Sequence, residues 1–416
     1  MGISFADKLY NDGQSFDLPD DKSGMIALIS DIPDAINSGN LVLVNQVSDL
    51  PEAVSGVITL AAGVTYFFTT NVDLEGARIV AGDNTTIIGG SSENCSIFST
   101  GLSAGSALIT SVYSLPIRNI TLKHDYAINL NASGNANAAL DWAGVNFLDC
   151  ATVGTIANYN NCIFSDCGVL NSANWTFDGT INTLGFSQCI FDGKAGQTII
   201  SVPATATISR RFRIIYSACV ALSGETAINV NTSASIPVEG YILDTVNFSG
   251  GGTYTAGVQF NDNKSLFVNC KGVSNSAEVA QYTMQDNATA TTITVNTPTK
   301  IAGTTTAASI NQKFTHSDNR VTYTGAIVRD FQVTAVASCT SGNTHQVGFY
   351  VVKNGIIITE SETYITTSGS GRAENVIVQT VVQLQQNDYI EIWTENETSS
   401  TNITVQFLNV IVKSLN

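Results

Sequence analysis

Phe147-Leu-Asp-Cys150, Phe164-Ser-Asp-Cys167 and Phe186-Ser-Gln-Cys189 repeat one pattern: an aromatic residue, two more residues, then a cysteine. Tyr216-Ser-Ala-Cys219, Tyr241-Ile-Leu-Asp244 and Phe267-Val-Asn-Cys270 continue it, the fifth copy with Asp in place of Cys. The spacings are 17, 22, 30, 25 and 26 residues. A period of roughly 20 to 30 residues is the signature of a solenoid, in which one supersecondary unit stacks on the next. The intervening segments are short, rich in Val, Ile and Phe, and separated by Gly, Asn, Ser and Asp clusters, which are strand and turn signals. Short strands wound in one direction give a right-handed parallel β-helix with one coil per repeat. Inward positions of successive coils then lie ~4.8 Å apart. Phe147, Phe164, Phe186, Tyr216, Tyr241 and Phe267 are expected to form one internal ladder, with loops of unequal length leaving at the corners.

Outward from this stretch, residues 41–295 read as the β-helix, roughly ten coils long at about 25 residues each. Residues 300–416 read as a separate antiparallel β domain. Gln346-Val-Gly-Phe-Tyr-Val-Val-Lys353 alternates, Asn354-Gly355 is a strong hairpin signal, and Ile356 begins the return strand. Eight or so strands in this length suggest a jelly roll. In the closing strand both alternating sets are apolar, Val405, Phe407 and Ile411 on one side and Leu408, Val410 and Val412 on the other. A strand with one wet face would alternate, so a second subunit is expected against Val405, Phe407, Leu408 and Val410, with Tyr389 and Trp393 nearby. Residues 1–40 contain apolar side chains such as Phe5, Tyr10 and Phe16 without enough chain for a core, and Ser30 to Ile36 reads as a capped helical turn with Pro33 early. This segment is expected to anchor on a partner or cap the solenoid.

Composition narrows the function. Only 12% of residues are charged, and 18 basic against 34 acidic residues give a net charge of −16. A protein that neutralises phosphates needs the opposite sign, which argues against nucleic acid and anionic membranes as partners. No stretch reaches the ~18 apolar residues of a membrane span, and the first residues carry no secretory pattern. The eight cysteines are therefore expected to be reduced core residues, with no metal or other cofactor.

Two stretches carry a family resemblance. Gly56-Val-Ile-Thr-Leu-Ala-Ala-Gly-Val-Thr-Tyr66, followed by Asn84-Thr-Thr-Ile-Ile-Gly-Gly90, resembles the opening coils of phage β-helical fibre and tailspike proteins. Asn387-Asp-Tyr-Ile-Glu-Ile-Trp393 with the closing strand resembles trimeric jelly rolls of the tumour-necrosis-factor/C1q type. The resemblance implies a homotrimeric virion fibre, head or tail, made in the host cytoplasm. Residues 1–40 would attach to capsid or tail proteins, leaving the remainder for adhesion or recognition of a host surface glycan. The alternative is a tailspike depolymerase; a bacterial surface adhesin is a third reading.

Catalysis of glycan cleavage needs two carboxylates flanking the sugar bond. The solenoid offers Asp141, Asp149, Asp166, Asp178, Asp192, Asp244 and Asp262, mostly in turn contexts. Asp149 and Asp166 hold equivalent places in consecutive copies of the motif and form the best candidate pair, against the simpler reading of two solvated corner residues. A polygalacturonase-like motif set is absent, and no phosphate loop or dinucleotide fingerprint appears. The single basic cluster of the solenoid, Arg210-Arg-Phe-Arg213, suits a salt-bridged or glycan-facing loop as well as catalysis. The favoured reading is non-enzymatic.

Overall fold

A computed structural model describes residues 8–11, 14–17, 40–260, 262–308, 311–325, 327–369 and 371–415. Lys8–Asn11 pairs antiparallel with Gln14–Asp17. The helical turn expected at Ser30 to Ile36, and most of the expected anchor, lie outside the described residues. The protein is all-β: a parallel β-solenoid of about nine turns, then antiparallel sheets. The chain divides into two compact units, residues 1–258 with 269–273, and residues 259–268 with 274–416.

The solenoid is built from columns of inward side chains. Along its nine-stranded sheet Ile58, Ile79, Ile109, Ile128, Gly154, Trp175, Ile200 and Ile228 stand in successive register. The seven side chains are 0–1% exposed. β-branched residues fit this pleated, buried position because their restricted rotamers lose little on packing. Gly154 interrupts the column for a backbone reason. Its φ is +126°, and a Cβ there would stand 1.7 Å from the Ile128 carbonyl oxygen.

The facing sheet carries further columns. One runs Tyr66, Ile87, Ile117, Trp142, Phe164, Phe186, Ile214, Leu243. Another runs Ile97, Leu122, Phe147, Val169, Phe191, Cys219, Phe248. A third holds Leu140, Cys162, Leu184, Phe212 and Tyr241. Aromatic rings from both sheets interlock at the centre: Trp175 lies 5.1 Å from Phe147, 4.8 Å from Phe164 and 5.4 Å from Phe186, centroid to centroid.

The single aromatic ladder is therefore corrected. Phe164 and Phe186 share a column, but Phe147 and Tyr241 belong to two others. Phe267 is buried in the Ser265–Val268 strand, which clusters with the second unit. Tyr216 points outward and is 61% exposed. The motif repeats because it marks a strand ending at a left-handed corner, and two consecutive coils have a second such corner. Asn119, Gly144, Asp166, Gln188, Tyr216 and Thr245 occupy the first, with φ between 49° and 65°; Asp149 and Asn171 occupy the second, at 59° and 47°. The 17-residue step from Phe147 to Phe164 joins the second corner of one coil to the first of the next. Tyr216 is itself a corner residue, and Ile214 takes the place of Phe186.

Cys95, Cys150, Cys162, Cys167, Cys189, Cys219 and Cys339 are free and buried. Burial pushes the Cys162 and Cys219 thiols far up. Cys150, Cys167 and Cys189 aim their thiols at strand carbonyls, such as Cys167 Sγ at 3.3 Å from the Ser165 oxygen.

The second unit is a pair of antiparallel sheets. Five strands run in the order Thr306–Ala307, Val279–Met284, Thr404–Ser414, Arg329–Thr340, Glu374–Leu384. The other sheet has seven, centred on Tyr389–Asn396 between Arg320–Tyr323 and Gln346–Lys353. Phe331, Val333, Phe349, Val351, Ile390 and Val410 are among the residues of its core. Asn354 and Gly355, at φ 52° and 78°, close a two-residue hairpin between Lys353 and Ile356, the turn chemistry read from sequence. The boundary placed at 295–300 moves earlier: Val279–Met284 pairs with the closing strand.

Candidate functional surfaces

Asp149 and Asp166 do not form a stacked pair. Asp166 stands over Gly144 and under Gln188 at the first corner, whereas Asp149 neighbours Asn171 at the second. Both occupy left-handed backbone, where Asp and Asn are enriched because their short polar side chains tolerate it. Asp149 accepts a hydrogen bond from Asn171 Nδ2 at 2.8 Å and lies 3.8 Å from Lys123 Nζ. The other acids proposed from sequence are held similarly. Asp141 pairs with Arg118 at 2.5 Å, Asp178 accepts from the Thr205 hydroxyl at 2.7 Å, and Asp262 caps the Gln259 amide at 2.7 Å.

A solenoid groove of about 390 Å³ is lined by Asn158, Tyr159, Asn160, Thr180 and Asn182 together with residues 132–134 and 136. No charged side chain lines it. Its amides are held in two pairs between coils, Asn158 Nδ2 donating to Asn131 at 2.9 Å and Asn182 Nδ2 to Asn160 at 3.1 Å. The buried Tyr159 hydroxyl donates to the Tyr113 carbonyl at 3.0 Å, and burial raises its pKa. This surface suits hydrogen bonding to a neutral ligand and has no acid to protonate one.

The six residues expected at a subunit interface separate. The closing strand carries a bulge opposite Ser338 and Cys339, which pair with Phe407 and Val405. The shift puts Val405, Leu408 and Val410 into the unit's own core, at 0–1% exposure, and Phe407 and Ile411 outside. Both alternating sets looked apolar because the bulge switches faces within the strand. The outer face of the five-stranded sheet therefore carries Phe407, Ile411 and Val336 with Ile377 and Val381, the last two 61% and 57% exposed. Tyr389 and Trp393 lie on the other sheet. Arg320 stacks over Tyr389 at 4.1 Å, and Trp393 Nε1 donates to Glu391 at 3.0 Å.

That second outer face holds polar clusters invisible in the sequence, because their members come from distant strands. Glu391 is buried and accepts from Lys300 at 3.0 Å and Arg320 at 2.7 Å. Burial opposes its charge, but these cations and Trp393 outweigh it and hold the carboxyl below its usual range. Tyr350 bonds to Glu395 and, at 3.0 Å, to Glu362; burial and then these carboxylates push its hydroxyl far up. Tyr364, bonded to Glu362, is pushed up to about 12. His345 lies between Ser341 and Ser399, its Nε2 3.2 Å from the Ser399 hydroxyl. Ser341 and His345 are buried, and the group clamps two loops. Among the described residues no group of three or more His, Cys, Asp or Glu is placed to hold a metal, and no helix is long and apolar enough to cross a membrane.

No family model matches the chain, and no curated protein matches it. Solved structures that resemble parts of it include the PRD1 vertex protein P5, at 10% identity and TM-score 0.25, covering 33% of this chain and 97% of that one. Murine APRIL aligns at 11% identity and TM-score 0.25, over 33% of this chain and 99% of its own. Tailspike protein 4 of bacteriophage CBA120 aligns at 11% identity and TM-score 0.26, over 86% of this chain and 68% of its own. Scores this low carry no inference about function.

Proposed function

We propose that this chain is a homotrimeric structural fibre of a bacteriophage virion that serves adhesion. The observation that supports it most is the outer face of the five-stranded sheet. On it Val336 pairs directly with Ile377, Phe407 and Ile411 flank Val336 diagonally on the strand at its other side, and Val381 stands further along, beyond Thr334 and Gln379. Contiguous exposed apolar area marks an interaction surface. A closed three-fold ring satisfies a head-to-tail contact of this kind without leaving a growing edge. The phage reading rests on the resemblance of Gly56 to Gly90 and of Asn387 to Trp393 described above. A solenoid packed throughout with ring and aliphatic columns suits a mechanical role, and its candidate acids are engaged in corners and ion pairs. Residues 1–40 are proposed as the attachment to capsid or tail proteins.

Mass measurement of the full chain in solution tests the trimer. A trimer is expected at micromolar concentration, and Ile377→Asp with Val381→Asp should give a folded monomer. A stable wild-type monomer would remove the reading. Deleting residues 1–40 should leave a trimer that no longer joins particles. Release of reducing ends from a host glycan by the pure protein would replace adhesion with depolymerisation.

A further inference from the structure

The cluster Arg210-Arg-Phe-Arg213 sits in the strand Thr207–Ile215, on the outer face of the solenoid. Regular alternation between the buried Ile208 and Phe212 would turn Arg210 inward. A bulge prevents this: Ile181 pairs with Ile208 but Thr183 pairs with Arg211, so Asn182 faces two residues. Ser209, Arg210 and Arg211 are all exposed as a result. Arg213 lies on the same face as Arg211, ~6.7 Å further along the strand. None of the three makes an ion pair among the described residues, whereas Arg118, Arg320 and Arg329 each have a carboxylate. Asp141 is in the same column as Arg213, three coils away, and is taken by Arg118. Asp244, beside Ile215, accepts the Thr245 hydroxyl at 3.0 Å.

Around these cations the surface is mixed. Gly185 stands directly opposite Arg213, with no side chain. Tyr216, Ile190 and Ile163 are exposed at 61%, 52% and 37%, and Ser187 and Gln188 separate them. Three unpaired guanidinium groups on a chain of net charge −16 select a local anion, and their fork geometry matches carboxylate. The overall charge repels a densely charged polymer such as nucleic acid. An exposed tyrosine ring among hydroxyl and amide groups matches the apolar faces and hydroxyls of sugars. We infer that this strip binds a polysaccharide bearing carboxylates at intervals, with Arg210, Arg211 and Arg213 holding the carboxylates and Tyr216 stacking on a sugar ring. This rests on the adhesive reading above and names its ligand class.

The test uses the full chain with polygalacturonate, dextran and double-stranded DNA as probes. Polygalacturonate is expected to bind, more weakly as salt is added, and dextran to fail. Arg210→Ser, Arg211→Ser and Arg213→Ser together should weaken binding by about tenfold or more, the scale of losing charge-assisted bonds. Tyr216→Ala should weaken it less. The melting temperature and solution mass of the triple variant should equal those of the wild type; a triple lysine variant should recover part of the binding if the variant with serines is unstable. No binding of polygalacturonate, undiminished binding by the triple variant, or preference for DNA would each overturn the inference. A changed mass in the triple variant would also overturn it, since the strip would then face a second copy. Binding by a protein that is absent from virions would support the strip and remove the fibre reading.

Discussion

The solenoid and the double-sheet unit both close a β core, but they distribute their dependence on single residues differently. In the solenoid each coil pairs with the coil before and the coil after, and an inward residue such as Trp175 touches side chains of its own and the adjacent coils. The double-sheet unit has one core shared by two sheets, so that Val410 on one and Ile390 on the other belong to the same cluster. Repetition makes the first quasi-one-dimensional, with stability summed over neighbours. The second is all-or-none. The same difference governs the surface: the solenoid spends its irregularity on corners and bulges, the double-sheet unit on the faces of long strands.

The largest effect should come from charging the shared core. Val410→Asp buries an unpaired carboxylate at a position of 0% exposure, and should cost about 4 kcal/mol or more. The whole double-sheet unit should unfold while the solenoid's β signal survives. Ile377→Asp, on the outer face of the edge strand of the same sheet, should leave the unit folded and cost only what the lost subunit contact contributed. Circular dichroism melts of both variants decide this, and equal damage from both would mean that the two faces had been assigned wrongly.

Within the solenoid, Trp175→Ala should cost ~3–5 kcal/mol through the cavity left among Phe147, Phe164 and Phe186. Proteolysis should then open the central coils before the ends, as expected of a one-dimensional stack. Trp175→Phe gives a sharper reading. The indole Nε1 is buried with no hydrogen-bond partner among the described residues, so losing it removes a desolvated donor. Denaturant titration should place the phenylalanine variant within about 1.5 kcal/mol of wild type, in the range of tolerated core swaps. A cost equal to that of alanine would show that the ring's size, not the unpaired donor, dominates.

These residues also show what the sequence could disclose. The coil architecture was legible because buried columns need the same residue class at each turn, so that aromatics and cysteines recur at a readable period. Register was not, because a left-handed corner uses one local motif wherever it occurs, and the coils at Asp149 and Asn171 have a second one. Tyr216 looked like a core aromatic for that reason. The hairpin at Asn354-Gly355 was legible because its chemistry is local. The outward turn of Phe407 and of Arg210 was not, since a bulge is fixed by the partner strand. The Glu391 and Tyr350 clusters assemble from residues far apart in sequence, and no spacing announces them.

Acid should separate the two units. Burial opposes ionisation of Asp388, but the Gln385 amide, Lys353 and Asn354 outweigh it and hold the carboxyl below its usual value. A depressed folded pKa gives stability that is complete above the unfolded value of about 4 and is lost as pH falls through the folded one. Glu391 acts in the same direction. The double-sheet unit should therefore lose stability below about pH 4. Asp388→Asn should cost about 2 kcal/mol at pH 6, the worth of a hydrogen bond to a charged group, and flatten the acid limb. An unchanged slope in the melting temperatures between pH 5 and pH 3 would remove Asp388 from the account.

The smallest effects belong to the corners, which also decide the fate of the candidate acids. Asn tolerates the left-handed conformation about as well as Asp, so Asp149→Asn and Asp166→Asn should each change solenoid stability by less than about 0.5 kcal/mol. Alanine lacks that tolerance and should cost about 1 kcal/mol at either site. Asp149 should be the more sensitive because its bond with Asn171 is also lost. The left-handed asparagines of the double-sheet unit, Asn296, Asn319, Asn354 and Asn387, sit in turns between strands, where each corner is used once. In the solenoid the corner recurs in coil after coil, and its residues vary from Gly144 to Asp166 to Gln188 to Tyr216. A position that accepts glycine, acid, amide and tyrosine in consecutive coils is selected for backbone shape, not for a carboxylate. Denaturant titration of the four variants measures the stabilities. A glycan-cleaving activity present in the wild type and abolished by either asparagine substitution, with stability unchanged, would restore a catalytic role to that acid.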